Sequence, residues 1–215
     1  MIIQRVIRGI TGISEDDARR VLAVGILCNW WYKVGTLPRD EIPVRLSERN
    51  LDWHQNRYDD PDPLEGGEVF RRHTPFISTT AGTVERDMFR LTNILNPAWR
   101  VALNFATRGL AQDGYLFYCY LFIIGRQAVT LEPFSEELRE LNIYPGFSPY
   151  QPEGEITAKI IIPPTQIERA EFWSAGDALQ AVASGLLPAA DPSRTLVNPL
   201  FVPPENYNNV RDFLS

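Results

Sequence analysis

Tyr115-Leu116-Phe117-Tyr118-Cys119-Tyr120-Leu121-Phe122-Ile123-Ile124 holds no charged residue and is rich in aromatic and β-branched side chains. Such a run reads as a strand buried on both faces, the centre of a sheet. Working outward, residues 127–131 are predicted to pair with it, and residues 2–10, 156–162 and 167–173 are further strands. Residues 70–80 have extended character. Helical patterns fall at 84–95, 98–109, 135–141 and 177–184. Another is predicted from the Ser14-Glu15-Asp16-Asp17 capping box through Val21, Val24, Leu27 and Trp31 to Gly35. Residues 36–67 are polar, with prolines at 38, 43, 61 and 63, and read as a long irregular segment. Helices and strands intermix without a regular βαβ alternation, which predicts an α+β fold with mainly antiparallel pairing.

Composition narrows the function classes. The chain has 215 residues, 44% hydrophobic, with a formal net charge of −6, and suits one globular domain over 1–215 with a proline-rich tail, 188–215, packing on it. The charge argues against sequence-independent nucleic-acid binding, which needs a basic face to displace counterions. No run reaches the ~18 apolar residues of a membrane span, and the N-terminus is too short and too charged for a signal peptide. Cys28 and Cys119 are the only cysteines, and Cys119 inside the apolar run reads as a buried free thiol. The two histidines leave little room for a histidine metal site, and no metal is expected. Nineteen arginines stand against two lysines, Lys33 and Lys159, a skew that genome composition alone could produce.

With no phosphate-binding glycine loop and no nucleophile elbow, carboxylates and arginines are left to carry any chemistry. Glu153-Gly154-Glu155 enters a buried strand from a loop of prolines and aromatics, and residues two apart on a strand share a face, so both acids can address one small volume. Paired acids at a strand edge are otherwise simply solvated. Phe76-Ile77-Ser78-Thr79-Thr80 delivers three hydroxyls, with a turn or helix cap as the other reading for Thr80. Arg8, inside a β-branched strand, must reach the surface or meet an anion.

In that order, Arg8, Ser78-Thr79-Thr80 and Glu153-Gly154-Glu155 resemble the R-S-E class of mono-ADP-ribosyltransferase toxins, in particular the A chains of cholera toxin and heat-labile enterotoxin. Phe147-Ser148-Pro149-Tyr150-Gln151-Pro152-Glu153-Gly154-Glu155 is similar to the family's Y-S-P-H-P-D-E-Q-E, and Ile162-Pro163-Pro164-Thr165-Gln166-Ile167 to its I-P-Y-S-Q-I. Asn50-Leu51-Asp52-Trp53-His54 resembles N-L-Y-D-H, and Arg72-His73 before the hydroxyl strand resembles R-H before Y-V-S-T-S. Pro188-Ala189-Ala190-Asp191 and Phe201-Val202-Pro203-Pro204-Glu205 are similar to P-A-A-D and G-F-P-P-E. Residues 14–45 and 84–109 are longer than in the enterotoxins, and the disulfide-linked helix that docks on a B-pentamer has no counterpart, so no such partner is implied.

The resemblance implies two mainly antiparallel β-sheets forming an NAD cleft with flanking helices. It implies cleavage of NAD⁺ between nicotinamide and ribose and transfer of ADP-ribose to an arginine of a target protein, a host G protein among the candidates. Glu155 would stabilise the oxocarbenium-like transition state and bind the ribose. Ser78 would hold Glu155, Arg8 would meet the NAD⁺ phosphates or brace the site, and Glu153 would orient the acceptor guanidinium. Gly9, His54, Thr79 and Thr80 complete the expected nucleotide site, His54 having a structural hydrogen bond as its other reading. Phe147 and Tyr150 are expected at the surface that meets the target. Three rivals are water as acceptor (an NAD⁺ glycohydrolase), an inactive binding domain on the same scaffold, and transfer to DNA bases, which Glu153 and the acidic charge disfavour. The family also implies a secreted or injected protein working in host cytosol, where scarce lysines would limit ubiquitin attachment.

Overall fold

The computed structural model describes residues 2–80, 96–123, 135–137, 155–184 and 194–204. In chain order the elements are β1 (Ile2–Thr11), α1 (Glu15–Val24), β2 (Ile26–Leu27), α2 (Asn29–Val34), α3 (Ile42–Arg45), α4 (Glu48–Asn56), β3 (Pro61–Asp62), β4 (Glu68–Val69) and β5 (Phe76–Thr80). Then come α5 (Asn96–Ala106), β6 (Gly114–Ile123), β7 (Ser135–Glu137), β8 (Glu155–Lys159), β9 (Ile161–Ile162), β10 (Ile167–Trp173), α6 (Ala175–Ser184) and β11 (Thr195–Val197). The architecture is mixed α and β, with a mainly antiparallel sheet.

The apolar run becomes β6, paired along its length with β1, Ile2 opposite Ile123 and Thr11 opposite Gly114. Strand order is β1-β5-β8-β7-β6-β10-β11, and the additional β1–β6 pairing closes the circuit. Among the described residues only β6–β7 is parallel. The expected two sheets are therefore linked into one seven-stranded sheet, with two-stranded β2–β9 and β3–β4 beside it. The reason is β1: it pairs with β6 on one side and, at Ile7 opposite Thr80, with β5 on the other.

One core lies on the face holding Val6, Phe117, Cys119, Ile156 and Ala158, covered by α1 and Trp30. The second gathers Ile7, Leu116 and Trp173 with Trp99 and Leu103 of α5 and Ala178 of α6. Helix α5 lies directly on the sheet where two strands lack side chains. A Cβ on Gly9 would come within 2.1 Å of the Ala102 carbonyl oxygen, and one on Gly114 within 1.9 Å of that of Ala106. Both thiols are free and buried, and among the described residues no helix is long and apolar enough to cross a membrane.

Several predicted elements take another form. The helix expected up to Gly35 breaks at Gly25, whose φ of +94° suits glycine; Ile26 and Leu27 then pair with Ile162 and Ile161, and α2 restarts after Cys28. The segment 36–67, expected to be irregular, contains α3 and α4, the latter capped by the Ser47 hydroxyl accepting from the Asn50 N–H. Residues 70–72 form a single 3₁₀ turn, so the hydroxyl strand begins only at Phe76. The predicted helix at 135–141 is a strand over 135–137, because β6 and β8 take its backbone groups, a tertiary pairing that local periodicity does not report. The strand at 156–162 is interrupted by Ile160, at φ +64°. In the tail, β11 adds to β10, and the Tyr120 hydroxyl donates to the Val202 carbonyl at 2.7 Å. The expectations for 84–95, 127–131, 138–141 and 144–152, and with them Phe147, Tyr150, Glu153 and Gly154, lie outside the described residues.

Candidate functional site

Three strands and one helix converge at the middle of the closed circuit. The pleat of β1 points Arg8 to the same face as Val6. Arg8 is half-buried; its Nη1 donates to the Ser78 carbonyl at 2.7 Å, and its Nε is buried with no partner among the described residues. Strand β5 supplies the three hydroxyl residues. Thr79 Oγ1 donates to the Ile156 carbonyl at 2.5 Å and so stitches β5 to β8, while Thr80 lies opposite Glu155 in register. Glu155 opens β8 with a side chain 16% exposed, accessible to a ligand yet largely out of water.

Helix α4 closes the site from the side. Its buried stripe is Asn50, Leu51, His54 and Gln55, polar except for one residue. His54 Nδ1 is 2.8 Å from Thr74 Oγ1 and Nε2 is 2.7 Å from Ser78 Oγ. The same Nε2 stands 3.8 Å from Glu155 Oε1. The ring packs edge-on to Tyr58 and tilted against Phe76. Burial, assisted by the nearby Arg8 charge, pushes the imidazole pKa down to about 3. His54 is therefore neutral, carries one ring proton, and must accept from one hydroxyl while donating to the other. It orders the chain Thr74–His54–Ser78 rather than shuttling protons near neutral pH.

Ser78 thus meets the Glu155 neighbourhood through the imidazole, and Gln55 Nε2 donates directly to Glu155 Oε2 at 3.4 Å. Neither Thr74 nor Gln55 carries a motif that would have marked it in the sequence. The cue that was available for α4 is Ser47 before Glu48, an N-cap followed by an acid in the first turn.

Two cavities share Arg8 as a wall. One is lined by Arg8, Gly9, Ser78, Thr79, Thr80 and Glu155, with Phe105 of α5, 58% exposed, at its rim. The other, wider one runs from Arg8 and His54 past Tyr58 and Phe76 to Arg20 and Tyr32, the tyrosine 59% exposed. The structure thus brings Arg8, Gly9, His54, Ser78, Thr79, Thr80 and Glu155 into one neighbourhood. Among the described residues no group of three or more histidine, cysteine or acidic side chains is arranged to hold a metal ion.

No family model matches the chain, and no curated protein does. Among solved structures it is similar to EcPltA, with 15% sequence identity over 93% of this chain and 87% of that chain and a TM-score of 0.45, a likeness too distant to assign an activity.

Proposed function

We propose that the protein is a toxin-like mono-ADP-ribosyltransferase that takes NAD⁺ as its co-substrate and passes ADP-ribose to an arginine of a target protein in host cytosol. The observation that carries this reading is the meeting of Arg8, Ser78 and Glu155, from three different strands, around one cleft. It is the constellation on which the sequence resembles the R-S-E class. The residues also suit the ligand. Arg8 has a buried N–H with no acceptor in the described protein, and a dinucleotide brings two phosphates whose oxygens fit a planar guanidinium. Cavities open on both sides of Arg8, and the exposed rings of Phe105 and Tyr32 offer flat faces to the planar bases of such a molecule.

NAD⁺ supplies an activated ribose whose bond to nicotinamide breaks with development of positive charge. In this reading the Glu155 carboxylate accepts from a ribose hydroxyl and stabilises that charge in a partly desolvated setting, where a fixed charge acts far more strongly than in water. The neutral imidazole of His54 and the Ser78 hydroxyl keep the wall beside the carboxylate ordered. Thr79 and Thr80 hold β5 and β8 in register beneath it. Gly9 admits the backbone of α5, keeping the cleft narrow. Glu153, two residues before Glu155, takes the acceptor guanidinium.

The test is incubation of the protein with nicotinamide-labelled and adenylate-labelled NAD⁺ and agmatine as a soluble arginine mimic. Release of nicotinamide and labelling of agmatine are expected. Glu155→Gln should lower both about 10³-fold, the order for removal of one preorganised group at a developing charge, with Tm unchanged. Absence of release from the wild-type protein, or release undiminished in Glu155→Gln, overturns the reading. Release without labelling of agmatine or of any protein reassigns it to an NAD⁺ glycohydrolase.

A further inference from the structure

The two oxygens of Glu155 are addressed by consecutive residues of one helix. His54 Nε2 lies 3.8 Å from Oε1, and Gln55 Nε2 donates to Oε2 at 3.4 Å. Gln55 is only 8% exposed, and its other amide atom, Oε1, is buried with no partner among the described residues. The opposite amide orientation offers no relief. It would press Oε1 against the carboxylate oxygen and bury two N–H donors in place of one acceptor. The carboxylate therefore fixes which way the amide faces.

A buried acceptor without a partner destabilises a fold, whereas an apolar side chain of the same length at such a place is close to neutral or better. Packing alone gives no reason for glutamine at 55. The hydrogen bond to Glu155 does, since an N–H aimed at one oxygen holds the carboxyl plane still. Charged and titratable groups that face Glu155 among the described residues include His54 from α4, held neutral, and Arg8 from β1 across the same cleft.

We infer that Gln55 is a positioning residue for the reaction: its amide clamps Glu155 Oε2 and sets the carboxylate in the orientation that meets the ribose. This rests on Glu155 being the reacting carboxylate. The arrangement costs the fold a satisfied acceptor and gives the site a fixed acid.

Gln55→Met, apolar and of equal length, separates the roles, with Gln55→Leu as the alternative should methionine pack badly. Tm is expected to stay the same or rise. The kcat for nicotinamide release should fall about tenfold, with KM for NAD⁺ changed less than twofold. The acid limb of the kcat–pH profile should move to higher pH, because a donor favouring the ionised carboxylate is gone. Titration of the Glu155 side-chain carbon, labelled with ¹³C and assigned by its loss in Glu155→Gln, should move upward in the same variant. Unchanged kcat and an unchanged titration overturn the inference, as does a fall in Tm with the titration unmoved, which marks a packing role. A wild-type protein that releases no nicotinamide would sink the proposed activity and leave the ¹³C titration to decide Gln55 alone.

Discussion

Strand β1 carries two arginines three residues apart, which the pleat sends to opposite faces of the sheet, and their surroundings differ in kind. Arg5 meets Glu168 at 3.1 Å; Glu168 also meets Arg169 at 3.0 Å, and Arg169 Nε meets Glu171 at 2.9 Å. The chain of pairs ends at Tyr118, whose hydroxyl donates to Glu171 at 2.9 Å and whose ring lies 3.8 Å beneath the Arg169 guanidinium. Burial and the adjacent Glu171 push that phenol far above its ordinary pKa, so it stays a donor. Charge answers charge along the whole ladder. Arg8 has instead a backbone carbonyl and a buried N–H, and nearby Gln55 a buried oxygen, neither with a partner among the described residues. A closed polar cluster holds strands together, whereas the one around Arg8 leaves polar atoms unsatisfied within the described protein.

Exchanging the two arginines' fates is the strongest way to break this comparison. Arg8→Lys keeps the charge but loses the planar fork. Expected is a 10²–10³-fold drop in kcat/KM for NAD⁺ cleavage, about 3–4 kcal/mol of transition-state stabilisation, with Tm unchanged or slightly higher. Arg5→Lys should leave kcat/KM within twofold. Its side chain is 38% exposed, so solvent screening limits the stability loss to about 0.5 kcal/mol. Activity lost with Arg5 and kept without Arg8 would reverse the assignment of the two clusters.

The seat of α5 on the sheet supports both clusters, and its two glycines separate stability from catalysis. Gly114→Ala drives a methyl into the Ala106 carbonyl, a contact between backbones that cannot yield cheaply. About 3 kcal/mol of stability should be lost, a fall in Tm on the order of 10 °C, with the kcat of the folded fraction retained. Gly9→Ala meets the Ala102 carbonyl in the same way, but beside Arg8 at the cleft, so kcat should fall as well. Equal kcat in the two variants would show that the lie of α5 does not shape the site.

How legible each region was follows from what its residues bury. Strand β6, β1 and the Ser14–Asp17 capping box announce themselves because their apolar pattern or cap chemistry is local, and the structure has them where the sequence puts them. Helix α4 does not, because its inward stripe of Asn50, Leu51, His54 and Gln55 has helical spacing with a mostly polar content, which hydrophobic periodicity reads as loop. His54 was found through the resemblance of its neighbours to a family motif and not through any pattern of its own. Gln55, adjacent to it, carried no signal, since its role exists only once β8 brings Glu155 against the helix. The division of α1 from α2 and the kink at Ile160 escaped for a related reason: β2 and β9 are two residues long, and only each other's presence makes them strands.

The same contrast has a pH signature. His54 is neutral in the fold, its pKa displaced from about 6.5 to about 3, and buried His73 is displaced in the same direction by burial. Below pH 6.5 the unfolded chain takes up protons that the folded chain refuses, so the stability from these groups is complete above that pH and is lost as pH falls below it, for His54 down to about 3. For His54 the loss between pH 7 and pH 5 is about 2 kcal/mol, at ~1.4 kcal/mol per pH unit once below 6.5. Asp17, Asp62 and Glu68, whose folded pKa values are lowered, lose their contributions nearer pH 4 and below, leaving the window between 6.5 and 5 to the histidines. Urea unfolding at half-unit steps should show this slope in the wild-type protein, most of it gone in His54→Asn and a smaller part gone in His73→Asn. A slope that survives His54→Asn would mean that the imidazole is hydrated or charged in the fold, and the ordered Thr74–His54–Ser78 wall beside Glu155 would have to be abandoned.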